Sequence, residues 1–256
     1  MITVACLEYS YGDHRVLDGI DFEAESGEIV CVLGRNGAGK STLFRCLLHL
    51  LTNYQGNISI DGKNIKEVPR KELSRMIAYI PQSSTPVFDY SVFDVVSMGR
   101  TSQGGSAGKS SDDDIVFQTL DDLGIGHIAT KGFAHISGGE RQMALIARAL
   151  VQQAGILIMD EPTANLDFGN QHLVLEQAKR LKEAGYLVIM STHNPQHALS
   201  YATRVLMLSN GRLIRKGPPD DVLDEGLLAR VYGVDVEILD VERKDGSGTS
   251  RICLAL

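Results

Sequence analysis

"VLGRNGAGKSTLF", residues 32–44, places a glycine-rich turn between an apolar run and a segment of helical periodicity. Within it, Gly34-Arg35-Asn36-Gly37-Ala38-Gly39-Lys40-Ser41 satisfies the pattern G-x-x-x-x-G-K-[ST] in the required setting, strand before and helix after. Glycine loses more backbone freedom on folding than any other residue, so three in eight positions need a reason. Successive N–H groups can converge on phosphate oxygens only where no Cβ blocks the turn. A helix starting near Lys40 adds the positive end of its dipole. The pattern therefore predicts that Lys40 reaches the β- and γ-phosphates of a nucleotide, that Ser41 ligates Mg²⁺ and that Thr42 contacts the α-phosphate. A second Gly108-Lys109-Ser110 lies in "QGGSAGKSS" (103–111), but Gln103 replaces the first glycine, no apolar strand leads in and aspartates follow. It is rejected as a second nucleotide site.

Outward from the loop, "ILIMDEP" (156–162) is another apolar run, and it ends in two carboxylates. Ligands of parallel α/β sheets bind at the C-terminal ends of the strands. Asp160 is expected to orient the Mg²⁺ through its water shell. Glu161 is the expected base that polarises an attacking water. An ordinary acidic turn is the alternative, weakened by the position of this pair 120 residues beyond Lys40 with other elements present.

The rest of the chain supplies the frame. "ITVACLEYSY" and "RVLDGIDFEAES" alternate β-formers with turn residues and predict an antiparallel portion. "EIVCVL" (28–33) reads as a strand buried on both faces. "GNISIDGKNI" reads as a hairpin and "RMIAYIPQ" (75–82) as a strand broken at Pro81. From Val92 to about Leu150 the pattern is mostly helical, interrupted by the polar "TSQGGSAGKSSDDD" (101–114), expected as an exposed loop or a partly disordered segment. Strands and helices then alternate through "YLVIMSTH", "NPQHALSYA" and the hairpin "RVLMLSNGRLIRKG", which implies a parallel sheet covered on both faces. The tail "VDVEILDVERKDGSGTSRICLAL" reads as two strands around a Gly/Ser turn.

Bulk properties exclude several classes. With 256 residues, 43% apolar and 22% charged, the chain suits one large domain or a domain with a subdomain. Apolar stretches such as "YLVIM" (186–190) fall short of the roughly 18 residues a membrane span needs. "MITVACLEYS" lacks the basic-then-apolar order of a signal peptide, so a cytosolic location is expected. A net charge of −7 argues against a nucleic-acid partner. Cys6, Cys31, Cys46 and Cys253 are scattered without close spacing and are expected as small buried hydrophobes in a reducing compartment.

"HISGGERQMALIARAL" (135–150) resembles the signature motif of the ABC (ATP-binding cassette) ATPases, usually Leu-Ser-Gly-Gly-Gln followed by Arg-Gln. Ser137, Gly138 and Gly139 match it, while Ile136 and Glu140 depart from its commonest form. Physically the motif is a helix N-terminus with a serine hydroxyl and two glycine amides, suited to an anion presented by something else; a capped helix with Ser137 as N-cap is compatible with that role. The resemblance covers about Ile2 to Tyr232 and implies an α/β P-loop NTPase fold. That fold has a mostly parallel core sheet, an N-terminal antiparallel β subdomain and a helical subdomain. Residues 1–256 are then one cassette, with the helical subdomain at about 90–155 and a C-terminal β extension at about 234–256.

The same resemblance implies the remaining site residues. Tyr11 is the adenine-stacking aromatic, with Tyr9 as rival. Gln82 is the Q-loop glutamine that contacts Mg²⁺ and couples to the membrane partner. Asp167 of Asn165-Leu166-Asp167 crosses a dimer interface, and His193 contacts the γ-phosphate. His193 and His197 stand four apart with Pro195 between and no third ligand in sight, which argues against a metal pair. In this family two copies pair head to tail, and each signature (Ser137, Gly138, Gly139, Glu140) covers the partner's nucleotide.

"YSVFDVVSMGR" (90–100) and "ANLDFGNQHLVL" (164–175) are similar to cassettes that serve importers of iron–siderophore, haem or cobalamin, with molybdate and tungstate importers as relatives. That likeness implies ATP and Mg²⁺ as cofactors and a homodimer peripheral to the cytoplasmic face of the inner membrane. Permease subunits and, indirectly, a solute-binding protein are the implied partners. Phe88, Tyr90, Val92 and Phe93 are expected to offer an apolar surface to the permease, with some of the four serving as core instead. An exporter cassette, a soluble cassette protein uncoupled from transport and a metabolic P-loop kinase are the alternatives.

Overall fold

Five consecutive residues, Ile29–Leu33, are wholly buried, and this strand organises one half of the molecule. Each such branched side chain contributes about 1.5–3 kcal/mol on leaving water. The computed structural model describes residues 1–82, 90–103, 109–244, 246 and 248–256. In chain order, β1 (Ile2–Tyr11), β2 (His14–Ala24) and β3 (Ile29–Leu33) lead through the glycine turn to α1 (Lys40–Leu47). Next come β4 (Gln55–Ile60), β5 (Lys63–Asn64), α2 (Arg70–Met76) and β6 (Ile77–Ile80). Helices α3 (Val92–Ser97), α4 (Lys109–Asp122) and α5 (Gly138–Val151) precede β7 (Ile156–Met159) and α6 (Phe168–Glu183). The chain continues with β8 (Leu187–Thr192), α7 (Pro195–Tyr201), β9 (Arg204–Ser209) and β10 (Arg212–Gly217). It ends with α8 (Pro219–Val222), α9 (Glu225–Tyr232), β11 (Val236–Glu242) and β12 (Thr249–Ala255).

The contacts divide the chain into two units, residues 1–67 with 181–256, and residues 68–180. In the first, β1 pairs antiparallel with β2 and β4, and β4 with β5, which is the N-terminal antiparallel sheet expected from the alternating pattern. Beside it, β3 lies parallel between β8 and β9, in register Leu33↔Thr192 and Leu33↔Met207. Every residue of β8 is buried too, as expected of a strand covered on both faces. β10 closes this sheet antiparallel to β9, and β11 with β12 forms a separate hairpin over 236–255.

In the second unit β6 pairs parallel with β7, in register Ile80↔Met159, and α3, α4 and α5 pack together. Gly99 allows a close backbone approach there: a Cβ would stand 2.1 Å from the Arg148 carbonyl of α5. The mixed α/β class with mostly parallel central strands therefore holds.

Two expectations need correction. The polar stretch 101–114 is not a loop throughout, because α4 starts at Lys109; residues 104–108, with Gly108 of the rejected second motif, lie outside the described residues. The largely buried Arg100 donates to Asp112 at 2.8 Å and to the Val151 carbonyl at 2.8 Å, anchoring that helix. The cysteines are also not uniformly buried: Cys31 and Cys46 are, Cys253 is half-buried and Cys6 is exposed. Cys6 sits at φ 49° where the pairing of β1 shifts register, and the bulge turns its side chain outward.

Candidate functional site

The register of β3 with β8 dictates what meets at their C-terminal ends. Leu33 aligns with Thr192, so Gly34 of the glycine turn and His193 both leave neighbouring parallel strands one residue later. His193 is exposed there. The three glycines of the turn have different reasons. A Cβ on Gly34 would stand 2.3 Å from the Leu208 carbonyl of β9, so this glycine serves close packing of the loop against the sheet. Gly37 and Gly39 hold φ of 81° and 107°, a region that L side chains seldom adopt.

Gly39 is also the N-cap of α1; no side chain caps that end and no acidic residue occupies its first turn. Its leading amides and dipole face the loop without a built-in anion. Lys40 is only 6% exposed, and its Nζ donates to the Gly34 carbonyl at 2.7 Å and the Arg35 carbonyl at 3.3 Å. The ammonium is thus held within the loop it serves. Arg35, Asn36, Gly37 and Ser41 are exposed, Ala38 and Gly39 are buried, and Thr42 is half-buried. This cradle, with a cation and a cap-free helix start, fits a phosphate chain. The hydroxyl of Ser41 and the carboxylate of Asp160 are hard oxygen donors of the kind Mg²⁺ takes. Of the two tyrosines, Tyr9 is 7% exposed and Tyr11 44%, their rings edge to face at 4.9 Å, which leaves Tyr11 the accessible one.

In the second unit, β6 and β7 bring together the other strand-end residues. Asp160 N–H donates to the Ile80 carbonyl at 2.9 Å and its side chain is buried. Glu161 follows at φ 44°, a costly backbone for a residue with a Cβ. Gln82 Nε2 donates to Glu161 Oε2 at 3.3 Å. Asn165 is held at φ 60° in the following turn.

Ser137 is the N-cap of α5 in a complete capping box. Its Oγ accepts from Glu140 N–H at 3.3 Å, while Glu140 Oε2 accepts from Ser137 N–H at 2.8 Å and from Ser137 Oγ–H at 2.7 Å. These bonds from Ser137 hold the Glu140 carboxyl below the usual carboxylate range.

Sequence reasoning missed Asn170. Its N–H and Nδ2 donate to the Asp167 carboxylate at 2.9 and 2.7 Å, which lowers the pKa of that carboxyl. A Cβ on Gly139 would stand 2.1 Å from Asn170 Oδ1, and one on Gly138 3.5 Å from Leu166. Gly139 thus leaves room for the Asn170 amide that holds Asp167, while a Cβ on Gly138 would make only an ordinary contact. The Asp-x-x-Asn spacing at the start of a helical pattern was the available signal. Of the apolar surface expected after Gln82, Phe88 lies outside the described residues. Tyr90 is exposed, Val92 is core, and Phe93 is half-buried against Phe117 at 4.6 Å.

A glycine cradle at the end of one buried parallel strand, a carboxylate pair at the end of another and a capped serine–glycine helix start define a P-loop nucleotide hydrolase of the cassette class. A family model described as ABC transporter matches residues 17–164. An ABC transporter ATP-binding protein of Haemophilus influenzae is 40% identical over 235 residues, covering 91% of this chain and 89% of the relative. A hemin import ATP-binding protein of Streptomyces coelicolor is 37% identical over 232 residues, covering 91% and 83%. A solved chain from a transporter described as of the "metal-chelate type" superposes with a TM-score of 0.88 at 29% identity, covering 100% of this chain and 96% of that one. The chain belongs to the ABC transporter family, as an ATP-binding, ATP-hydrolysing member.

Proposed function

We propose that this chain is the ATPase subunit of an importer that takes up a metal chelate, with haem or an iron–siderophore as its substrate class. The observation supporting that solute is the likeness to a hemin import protein and to a "metal-chelate type" transporter. The cassette itself handles only ATP, so its residues carry no solute chemistry. In this reading residues 1–256 form one cassette, with 90–155 as its helical subdomain and 234–256 as a C-terminal extension. It works as a head-to-tail homodimer beneath permease subunits on the cytoplasmic face of the membrane, and a solute-binding protein delivers the cargo. Among the described residues no helix is long and apolar enough to cross a membrane.

The amides of Gly34 to Thr42 and the start of α1 bind the phosphates, Lys40 neutralises the β- and γ-oxygens, and Tyr11 stacks on adenine. Ser41, Gln82 and Asp160 would hold Mg²⁺, which, when bound, offsets charge on the β- and γ-phosphates. Glu161 accepts the proton of the attacking water, with its carboxylate oriented by Gln82. His193 contacts the γ-phosphate, and the partner copy completes the site with its own Ser137–Glu140 and Asp167 segments. What supports Glu161 as the base is its strained, hydrogen-bonded position at the end of β7. The test is ATP hydrolysis by the transporter reconstituted with its permease. Stimulation by haem or a ferric siderophore is expected; stimulation by oxyanions alone would overturn the metal-chelate reading.

A further inference from the structure

The loop after β8 carries a polar network whose residues no nucleotide motif uses. Asn194 is the N-cap of α7, and its Oδ1 accepts from Gln196 N–H at 2.9 Å. That bond fixes which end of the Asn194 amide is which. Its Nδ2 therefore faces His197 Nε2, 3.2 Å away, as a donor. Nε2 must then be the acceptor, so the His197 ring is neutral and carries its proton on Nδ1. Nδ1 lies 3.4 Å from Thr192 Oγ1, which also accepts from Asn194 N–H at 3.0 Å. Thr192 immediately precedes His193.

The other end of the network is β12. Gln196 Oε1 accepts from Cys253 N–H at 2.9 Å, and Gln196 Nε2 donates to the Arg251 carbonyl at 3.1 Å and to Ser200 Oγ at 2.8 Å. Cys253 and Arg251 are alternate residues of a strand, so these groups lie on one edge, the edge not paired with β11. The Gln196 amide thus stands where a further strand would bond. The hairpin buries little: no residue of β11 or β12 is fully buried. Directed bonds, rather than a core, seat it on α7.

We propose that the C-terminal hairpin aims His193: Gln196 clamps the outer edge of β12, and Asn194, His197 and Thr192 transmit that anchorage to the residue before His193. Gln196, Asn194 and His197 are positioning residues for ATP hydrolysis. The inference rests on the reading of His193 as the γ-phosphate contact. Nucleotide affinity, set by the glycine cradle and Tyr11, does not depend on the clamp.

The experiment compares ATP hydrolysis and thermal unfolding of the full-length chain with those of Gln196→Met, Gln196→Glu and His193→Ala. Gln196→Met keeps the side-chain length and removes both bonds to β12. It is expected to lower kcat about fivefold, with KM for ATP within twofold of the parent and Tm nearly unchanged. Gln196→Glu keeps the acceptor for Cys253 N–H but not the donor to Arg251, and should fall between, which reads the role even if the methionine variant does not fold. A merely structural role would lower Tm and move kcat and KM with it. A parent that does not hydrolyse ATP, or a His193→Ala chain as fast as the parent, overturns the functional reading and this proposal with it. With those controls in order, a kcat within twofold of the parent for both Gln196 variants overturns the positioning role alone.

Discussion

Gln82 donates from Nε2 to Glu161 Oε2 at 3.3 Å, joining the residues that follow two adjacent parallel strands. The bond steadies a carboxylate whose own backbone sits at φ 44°. Gln82→Ala is expected to slow ATP hydrolysis about tenfold while affinity for ATP in the absence of Mg²⁺ stays close to the parent's, because Gln82 orients the base and holds the metal whereas the glycine cradle and Tyr11 bind the nucleotide. A loss of affinity with unchanged turnover would show that Gln82 serves binding instead.

Lys40 is buried and held by the Gly34 and Arg35 carbonyls, so its charge is presented from inside the loop. Lys40→Ala should cost at least about 100-fold in kcat/KM for ATP, the scale of losing one preorganised electrostatic partner. Steady-state hydrolysis checks the rate, and circular dichroism checks that the chain is still folded.

The glycines of the turn separate packing from backbone strain. Gly34→Ala drives a methyl into the Leu208 carbonyl and is expected to cost about 1–3 kcal/mol of stability. Gly37→Ala meets nothing within 4 Å and is strained only by its φ of 81°, so a smaller loss of about 1 kcal/mol is expected. Denaturant unfolding of the two variants measures the difference.

Burial, then the neighbouring His193, depresses the pKa of His197 in the folded chain. The folded state therefore binds fewer protons than the unfolded one as pH falls below about 6.5, the unfolded value. Stability from this group is complete above that pH and declines as pH drops from there toward the lower folded pKa. His197→Gln should flatten that part of the stability–pH curve, measured by thermal unfolding between pH 5 and 7.5 as a function of buffer pH alone. Glu140 has the opposite chemistry. Its folded pKa is lowered by Ser137, so its stabilisation is present above about pH 4.3 and is lost as pH falls through the folded value. Removing the cap by Ser137→Ala should cost about 1 kcal/mol of stability at neutral pH.

The site was legible wherever the chemistry is local. β3, β7 and β8 stand out as short unbroken apolar runs, and the glycine turn, the Asp160–Glu161 pair and the serine cap of α5 are each written in consecutive residues. What escaped depends on partners distant in sequence. The start of α4 at Lys109 is supported by Arg100 reaching Asp112, and nothing in "GKSSDDD" announces that partner. α8 and α9, at four and eight residues, are too short for periodicity to show; only Pro219 at the start of one, and Asp224 and Gly233 at the ends of the other, mark them. Gly34 was expected to leave room for an amide, yet its nearest neighbour is a carbonyl of β9, contributed 174 positions later by Leu208. The clamp of Gln196 on β12 likewise joins residues 55 and 57 positions apart.

The most direct test of the central claim is the fate of ATP on a Glu161→Gln chain. Glu161 is placed as the base at the end of β7, and the glutamine keeps its shape and its neighbour while removing its basicity. Hydrolysis should fall by about 100-fold or more, and size-exclusion chromatography with Mg²⁺ and ATP should show a stable, nucleotide-loaded dimer. A Glu161→Gln chain that hydrolyses ATP at the parent's rate and stays monomeric would contradict the assignment.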